Sequence, residues 1–324
     1  MQYTKPHLSY AQQAQKLLQR GLGGNPVDIE QKLASVSYYR LSAYWYPFRR
    51  IDPTTRERTD NLESGTTFEL VWDHYRFDRN LRLLFVDAIE RIEIALRTQL
   101  VYLYTQQYSP FHYADEPLHA ARLKSLEEQA SISNGTCDDQ KCKYECVKHF
   151  FHKYGDSHTH LPFWMFAEIA DFGFMSLFYK NTKSEMQKSL AHVWSITPMT
   201  LISWLQCLNS LRNTCAHHGR IWNNGWGLKP KFPHWNERGQ HVWYYQYSPE
   251  KQRWLYNKQQ VKPSFEQTKT SAFLFICRYL LKKIAPQSQW HKRVEALFHE
   301  FEHRGIDFSR MGLPEHWQKH PLWK

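Results

Sequence analysis

Apolar residues recur at threes and fours along most of this 324-residue chain, the spacing that gathers them on one side of an α-helix. The longest run extends from Thr67 to Tyr104, where Leu81, Leu84, Phe85, Ala88, Ile89, Ile92, Ala95 and Leu96 are separated by charged residues. It predicts one long helix or two in close succession. Shorter runs predict helices at Leu8 to Leu22, with Ser9 as its cap and Gly21, Gly23 and Gly24 ending it, and at Asp28 to Val36. Others fall at Leu118 to about Ser131, Tyr144 to Tyr154 and Ser184 to Val193. Leu161 to Tyr179 carries aromatics on both sides of a single expected helix and reads as core. Pro198 opens the helix that leads to Arg212, and Gln267 to Ile284 and Gln289 to His303 complete the helical set.

Polar stretches interrupt this pattern. Ile51 to Gly65, with Pro53, predicts a loop, as do Ser109 to Pro117 and Asn134 to Asp139. After Trp222 the periodicity itself changes. Asn223 to Arg238 mixes glycine and proline with Lys229, Lys231, Trp226, Trp235 and His234, which predicts a structured loop. HVWYYQY and QRWLYNK then alternate aromatics about SPEK, the pattern of a β-hairpin. The expectation is a mainly α protein: a helical bundle with extra N- and C-terminal helices and a small β-hairpin insertion near 242–258. Residues 1–64 form an N-terminal helical and aromatic segment packed on the body, and 65–223 the helical core. Residues 224–266 form the loop and hairpin, and 267–324 the helices that complete the core.

Charge narrows the partner class. The chain carries a net charge of +11 and a pI near 9.2, which favours polyanions. Aromatics reach 16%, and flat rings beside cations suit single-stranded or looped RNA, although core packing can absorb most of them. No stretch approaches the roughly 20 apolar residues that cross a bilayer. MQYTKPHLSYAQQAQ lacks the apolar segment of a secretory signal, so the cytoplasm is the expected compartment. Six cysteines then read as reduced thiols. Cys137, Cys142 and Cys146 precede His149 and His152, but their spacing matches no common structural zinc pattern, and no metal is expected. Asp171-Phe172-Gly173 resembles a kinase magnesium motif, without the catalytic and glycine-rich loops that would give it that meaning.

The stretch with most chemistry is LRNTCAHHGRIW, Leu211 to Trp222. Four residues separate Arg212 from His217; Asn213 follows the arginine and His218 follows the histidine. Arginine is a permanent cation with a planar fork of donors that matches phosphate oxygens, and histidine exchanges protons near neutrality. Together they suit cleavage of a phosphodiester whose own 2′-hydroxyl is the nucleophile, a group RNA has and DNA lacks. Neither step requires a metal or other cofactor. Spacing alone does not single this pair out: Arg293 with His299 and Arg310 with His316 fit the same pattern. On an ideal helix, residues five apart point about 140° away from each other, so both reach one phosphate only where the helix bends or ends. The alternative is a capped helix end whose histidines bond to backbone carbonyls.

Several motifs occur in order: KPHLS at Lys5, YYRLSAYWYPFR at Tyr38, GTTFELVWDHYRFDRNLRLLFVDAIERIEIALRTQL at Gly65, LPFWMFAEIADFGFMSLFY at Leu161, WLQCLNSLRNTCAHHGRIWN at Trp204 and MGLPEHWQKHPLW at Met311. On these the chain resembles, over nearly its whole length, the Abi-like family of bacterial abortive-infection proteins, in the AbiD and AbiF group of the HEPN superfamily. The resemblance implies a HEPN-type bundle and an R-x4-6-H ribonuclease motif whose catalytic residues are Arg212 and His217, with Asn213 as the polar neighbour. HEPN motifs usually face each other, so a homodimer is implied, His217 of each chain serving as base and acid in turn. His218 ranks as an assistant or as packing. Some members of this family are encoded beside structured small RNAs, which implies a cognate RNA as a possible stable partner and leaves open an RNA-binding scaffold that does not cleave. The hairpin is larger than the family pattern and reads as an insertion of a subgroup.

Other residues stay open between two roles. Glu93 and Arg97, one turn apart, form either a surface ion pair or a polar wall facing Arg212 and His217 from a neighbouring helix. Arg220, Lys229 and Lys231 are candidates for RNA contact. Trp243, Tyr245, Lys251, Arg253 and Trp254 would make a basic aromatic ribbon for RNA or for a protein partner. Arg40 and Arg49 lie in the cluster Tyr38 to Phe48, which either stacks RNA bases or pins the N-terminal helices to the body.

Overall fold

The computed structural model describes residues 2, 4, 6–115, 120–138, 140–233, 243–257 and 263–324. Its N-terminal periodicities fold as α1 (Tyr10–Gln19), α2 (Pro26–Val36) and α3 (Tyr38–Trp45). Ser9 caps α1 through a reciprocal pair: its hydroxyl accepts from the Gln12 amide, and the Gln12 side chain accepts from the Ser9 amide. Asn25 caps α2, with Pro26 in the first-turn position where a missing N–H costs nothing. The segment expected as a loop after Ile51 instead contains a short antiparallel pair, β1 (Arg49–Ile51) and β2 (Arg58–Leu62), with an irregular register. The Leu62 amide donates to the Arg20 carbonyl, and the Glu63 amide to that of Phe48. Tertiary hydrogen bonding thus orders a stretch whose composition predicts only a turn.

Phe68–Thr105 is one uninterrupted helix, α4, about 57 Å long at 1.5 Å per residue. Its buried side carries Phe77, Leu81, Phe85, Ala88, Ile89, Ile92, Leu96 and Leu100. It is the shaft on which the other layers pack. α3 lies against it, as do α7 (Phe163–Ile169), α8 (Phe172–Asn181), α9 (Ser184–Val193), α10 (Pro198–Ala216), α11 (Thr270–Ile284) and α12 (Trp290–Phe301). The start of α4 contributes Phe68 and Val71 to a separate N-terminal core with Leu17, Ile29, Leu33, Leu41 and Trp45, and Phe77 onward belongs to the main core.

α5 (Ala120–Gln129), the two-residue strands β3 (Ile132–Ser133) and β4 (Thr136–Cys137), and α6 (Glu145–Tyr154) lie between α4 and α7. The single helix expected from Leu161 to Tyr179 is two. Ala170 is extended at ψ 141°, and Asp171 caps α8 by accepting from the Phe174 amide at 2.6 Å. Asp-Phe-Gly therefore marks a helix start.

The hairpin is present as β5 (Tyr245–Ser248) paired with β6 (Arg253–Tyr256), Tyr247 opposite Trp254. Residues 234–238 of the expected loop, including His234 and Trp235, lie outside the described residues, as do residues 239–242 before the hairpin and Lys258 at its end. No helix among the described residues is long and apolar enough to cross a membrane.

Candidate active cleft at the end of helix α10

Thr197 caps α10, Pro198 fills its first position, and Leu201, Trp204, Leu205, Leu208, Leu211 and Cys215 face the core. Burial pushes the Cys215 thiol up to about 12, which makes it packing rather than a nucleophile. The helix stops after Ala216. The Gly219 amide donates to the Thr214 carbonyl at 2.8 Å and the His218 amide to that of Cys215 at 3.0 Å, the paired bonds of a Schellman cap. His218 occupies the left-handed position of this cap, at φ 57°, where glycine is usual. Gly219 is needed for a different reason: a Cβ there would lie 2.8 Å from Thr214 Cγ2. The cap uses backbone only. Neither the His217 nor the His218 imidazole has a hydrogen bond or ion pair among the described residues.

Three elements hold the segment that follows. Asp78 of α4, wholly buried, accepts from the Ile221 amide at 3.0 Å, the Trp222 amide at 2.6 Å and the Tyr44 hydroxyl at 2.6 Å. Arg82, one turn on, pairs with Asp78 and donates to the Gly219 carbonyl at 3.2 Å. From α3, Arg40 donates to the His218 carbonyl at 2.8 Å, and Arg220 donates back to the Ala43 carbonyl. The turn carrying the two histidines is therefore fixed from both sides. Tyr44, Asp78 and Arg82 were not singled out from sequence. Their only local signal is an aspartate and an arginine four apart within the apolar stripe of α4.

Arg212 faces a cleft of about 350 Å³ lined by Val86, Glu90, Glu93, Ile94 and Arg97. Arg97 Nη2 donates to Glu93 Oε1 at 2.9 Å and to the Ala170 carbonyl at 3.0 Å, with Glu168 at 3.7 Å. Burial pushes the Glu93 carboxyl up, against the opposing pull of Arg97 and Arg212. Glu93 and Arg97 form the expected ion pair, largely buried rather than on the surface, and both line the cleft with Arg212, not with His217. Asn213 accepts from Arg212 at 3.4 Å and is otherwise exposed.

α4 and α10 run antiparallel, Arg212 beside Glu93 and Gly219 beside Arg82. His217 and His218 are exposed and outside the cleft walls.

The remaining predicted residues disperse. Trp243 is 0% exposed and packs edge-on to Trp204; Trp254 is 8% exposed and packs on His320. Both tryptophans are core, which corrects the expectation that they offer faces to bases. Tyr245 is half-buried between Tyr256 and His320. Lys229, Lys231, Lys251 and Arg253 are exposed. Arg40 and Arg220 make the packing contacts already described, and Arg49 pairs with Asp60 at 3.1 Å and lies over the Tyr46 ring. Among the described residues, no group of three or more His, Cys, Asp or Glu side chains is placed to hold a metal ion.

A mostly helical body with a cleft of two arginines and two carboxylates at a helix end is the class this geometry defines. Residues 31–223 match the model of the Abi-like protein family. The chain belongs to that family, and the matched region spans α3, α4, the cleft and the segment through Trp222. Comparisons with curated proteins and with solved structures give no match.

Proposed function

We propose that this chain is an RNA endonuclease of bacterial phage defence, of the HEPN kind, cutting by 2′-hydroxyl attack with Arg212 and His217 as its active residues. The observation that carries this reading is the placement of Arg212 in one cleft with Arg97, next to a helix end whose cap leaves the His217 ring free. Two guanidiniums within one cleft match the two non-bridging oxygens of a phosphodiester. His217 can exchange the proton of the 5′-oxygen that leaves. The products are a 2′,3′-cyclic phosphate and a 5′-hydroxyl, and the nucleophile is supplied by the RNA, so the step draws on no metal.

A homodimer is part of this proposal. Leu83, Val86 and Ile94 are 55%, 41% and 52% exposed on the side of α4 that forms the cleft wall. A second copy covering this apolar stripe would set two clefts side by side. The test is incubation of purified protein with total bacterial RNA in the presence of chelator. Arg212→Ala and His217→Ala are expected to lose cleavage while keeping the fold, since neither side chain is core. Cleavage indifferent to both substitutions overturns the assignment. Tight binding of a discrete structured small RNA with no cutting would favour a ribonucleoprotein scaffold instead.

A further inference from the structure

We propose that Glu93 is the base that takes the proton from the attacking 2′-hydroxyl, with His217 as the acid, so that one chain carries an unlike acid and base pair. This rests on the ribonuclease reading above and assigns within it the role that a second histidine would otherwise fill. Three features carry it. Glu93 projects from α4 into the same cleft as Arg212 of α10, and Arg97 holds one of its oxygens at 2.9 Å. That grip fixes the carboxylate while leaving its other oxygen for a proton. The two guanidiniums flank it, so a phosphate bridging Arg97 and Arg212 must lie beside Glu93. Finally, His217 caps the same helix that carries Arg212 and is exposed outside the cleft walls. In-line displacement needs base and acid on opposite sides of phosphorus, the roles proposed for Glu93 in the cleft and His217 outside it.

The step balances. The Glu93 carboxylate accepts the 2′-hydroxyl proton as the 2′-oxygen bonds to phosphorus. The bond from phosphorus to the 5′-oxygen breaks, and the imidazolium of His217 protonates that oxygen. Water exchange returns a proton from Glu93 to His217 for the next turnover. The charges around Glu93 are Arg97 on its own helix, Glu90 on the same cleft wall, Arg212 from α10 and Asp171 at the start of α8, itself paired with Arg122; Glu168 of α7 reaches Arg97. Burial keeps the carboxyl nearer to neutral pH than a surface glutamate, which suits a proton acceptor.

The test uses the full chain and a synthetic single-stranded RNA copied from a site that the wild-type protein cuts in total bacterial RNA. Glu93→Gln retains an acceptor for Arg97 and removes the base. It is expected to lower kcat by about 10²–10⁴-fold and to abolish the acid limb of the pH profile. The alkaline limb is expected to remain, and Glu93→Asp to restore part of the acid limb. Binding of the same RNA with a 2′-deoxy residue at the cut is expected to stay within about threefold, a difference of less than about 0.7 kcal/mol. A Glu93→Gln protein that retains both limbs, or loses affinity with kcat intact, overturns the proposal and leaves Glu93 as an ion-pair partner. A wild-type protein that cuts no RNA removes the ribonuclease reading and this one with it.

Discussion

Asp78 is the residue whose loss should be felt furthest from its own helix. Its carboxylate is fully buried and takes hydrogen bonds from the Ile221 and Trp222 amides, the Tyr44 hydroxyl and Arg82. Asp78→Ala removes all four acceptor contacts and leaves the Arg82 guanidinium, only 6% exposed, with a hydroxyl and a carbonyl but no counter-charge. Removing one partner of a buried pair costs about 3–5 kcal/mol. The two amides left dry add to this, each at about 1–3 kcal/mol if taken alone, and not additively. A loss of about 4–5 kcal/mol is expected, a large share of the 5–15 kcal/mol typical of a folded domain. The measurement is the urea unfolding midpoint at unchanged m, paired with hydrogen exchange at the Ile221 and Trp222 amides. Because the stranded charge is the dominant cost, the double variant with Arg82→Met should be less destabilised than the sum of its parts, by about 2 kcal/mol. A loss below about 1 kcal/mol for Asp78→Ala, or strict additivity in the double variant, would refute the reasoning.

The helix end offers an opposite sign. His218→Gly relieves the left-handed strain at φ 57° and should stabilise the fold by about 0.5–1 kcal/mol after the entropy of glycine is counted, read as a higher unfolding midpoint. Trp243→Ala should cost about 3–5 kcal/mol, because its ring fills the space between Trp204, Phe232 and Tyr279. Lys251→Ala and Arg253→Ala, both exposed, should stay within about 0.5 kcal/mol, so any RNA contact by the hairpin shows as a shallower salt dependence of binding in these variants alone. His320 is depressed from 6.5 to about 3 by burial, with Lys282 contributing. The unfolded chain therefore binds this proton first: stability is lost as pH falls from 6.5 toward 3, by up to about 1.4 kcal/mol per pH unit from this group. His320→Phe should flatten that slope; an unchanged slope between pH 6 and 4 would show that His320 is not its source.

The outline of the fold was legible because most helices announce both their stripe and their ends. Ser9, Asn25, Thr197 and Pro198 all cap or open helices by local chemistry alone. The misses occur where local signals conflict with what packs against them. Leu161 to Tyr179 is apolar on every side, so its period is silent about a break. The break is set by Asp171, whose side chain caps α8, and by Gly173, where a Cβ would come within 3.3 Å of the Asn209 amide on α10. β1 and β2 consist largely of polar and charged residues, and their pairing is tied to the end of α1 through Leu62 and Arg20. The hairpin alternation was correct as structure and misleading as surface: alternate rings point inward, and Trp254 closes on His320 and the carbonyl of His316.

For the site, a spacing of arginine and histidine carries little information until the surroundings of each pair are known. Arg293 is bound to Asp87, and His299 meets Glu302 at 3.1 Å. Arg310 lies 3.2 Å from Asp307, and His316 sits in the left-handed region against the Tyr247 ring. Each of these arginines already has a carboxylate partner. Arg212 differs in kind, for its guanidinium opens on a cleft and, among the described residues, its one hydrogen bond is a long one to its neighbour Asn213. Residues five apart keep their roughly 140° separation here, since α10 is helical through Ala216 and His217 is the cap residue, at φ −85° and ψ 10°, where the helix ends. What ends it there is the cap at Thr214, Cys215 and Gly219, and what fixes the emerging chain is Asp78, some 140 residues earlier. The candidate motif stands out within twelve residues, whereas the placement of the turn that carries it depends on a buried carboxylate that resembles, in sequence, one half of an ordinary helix-surface ion pair.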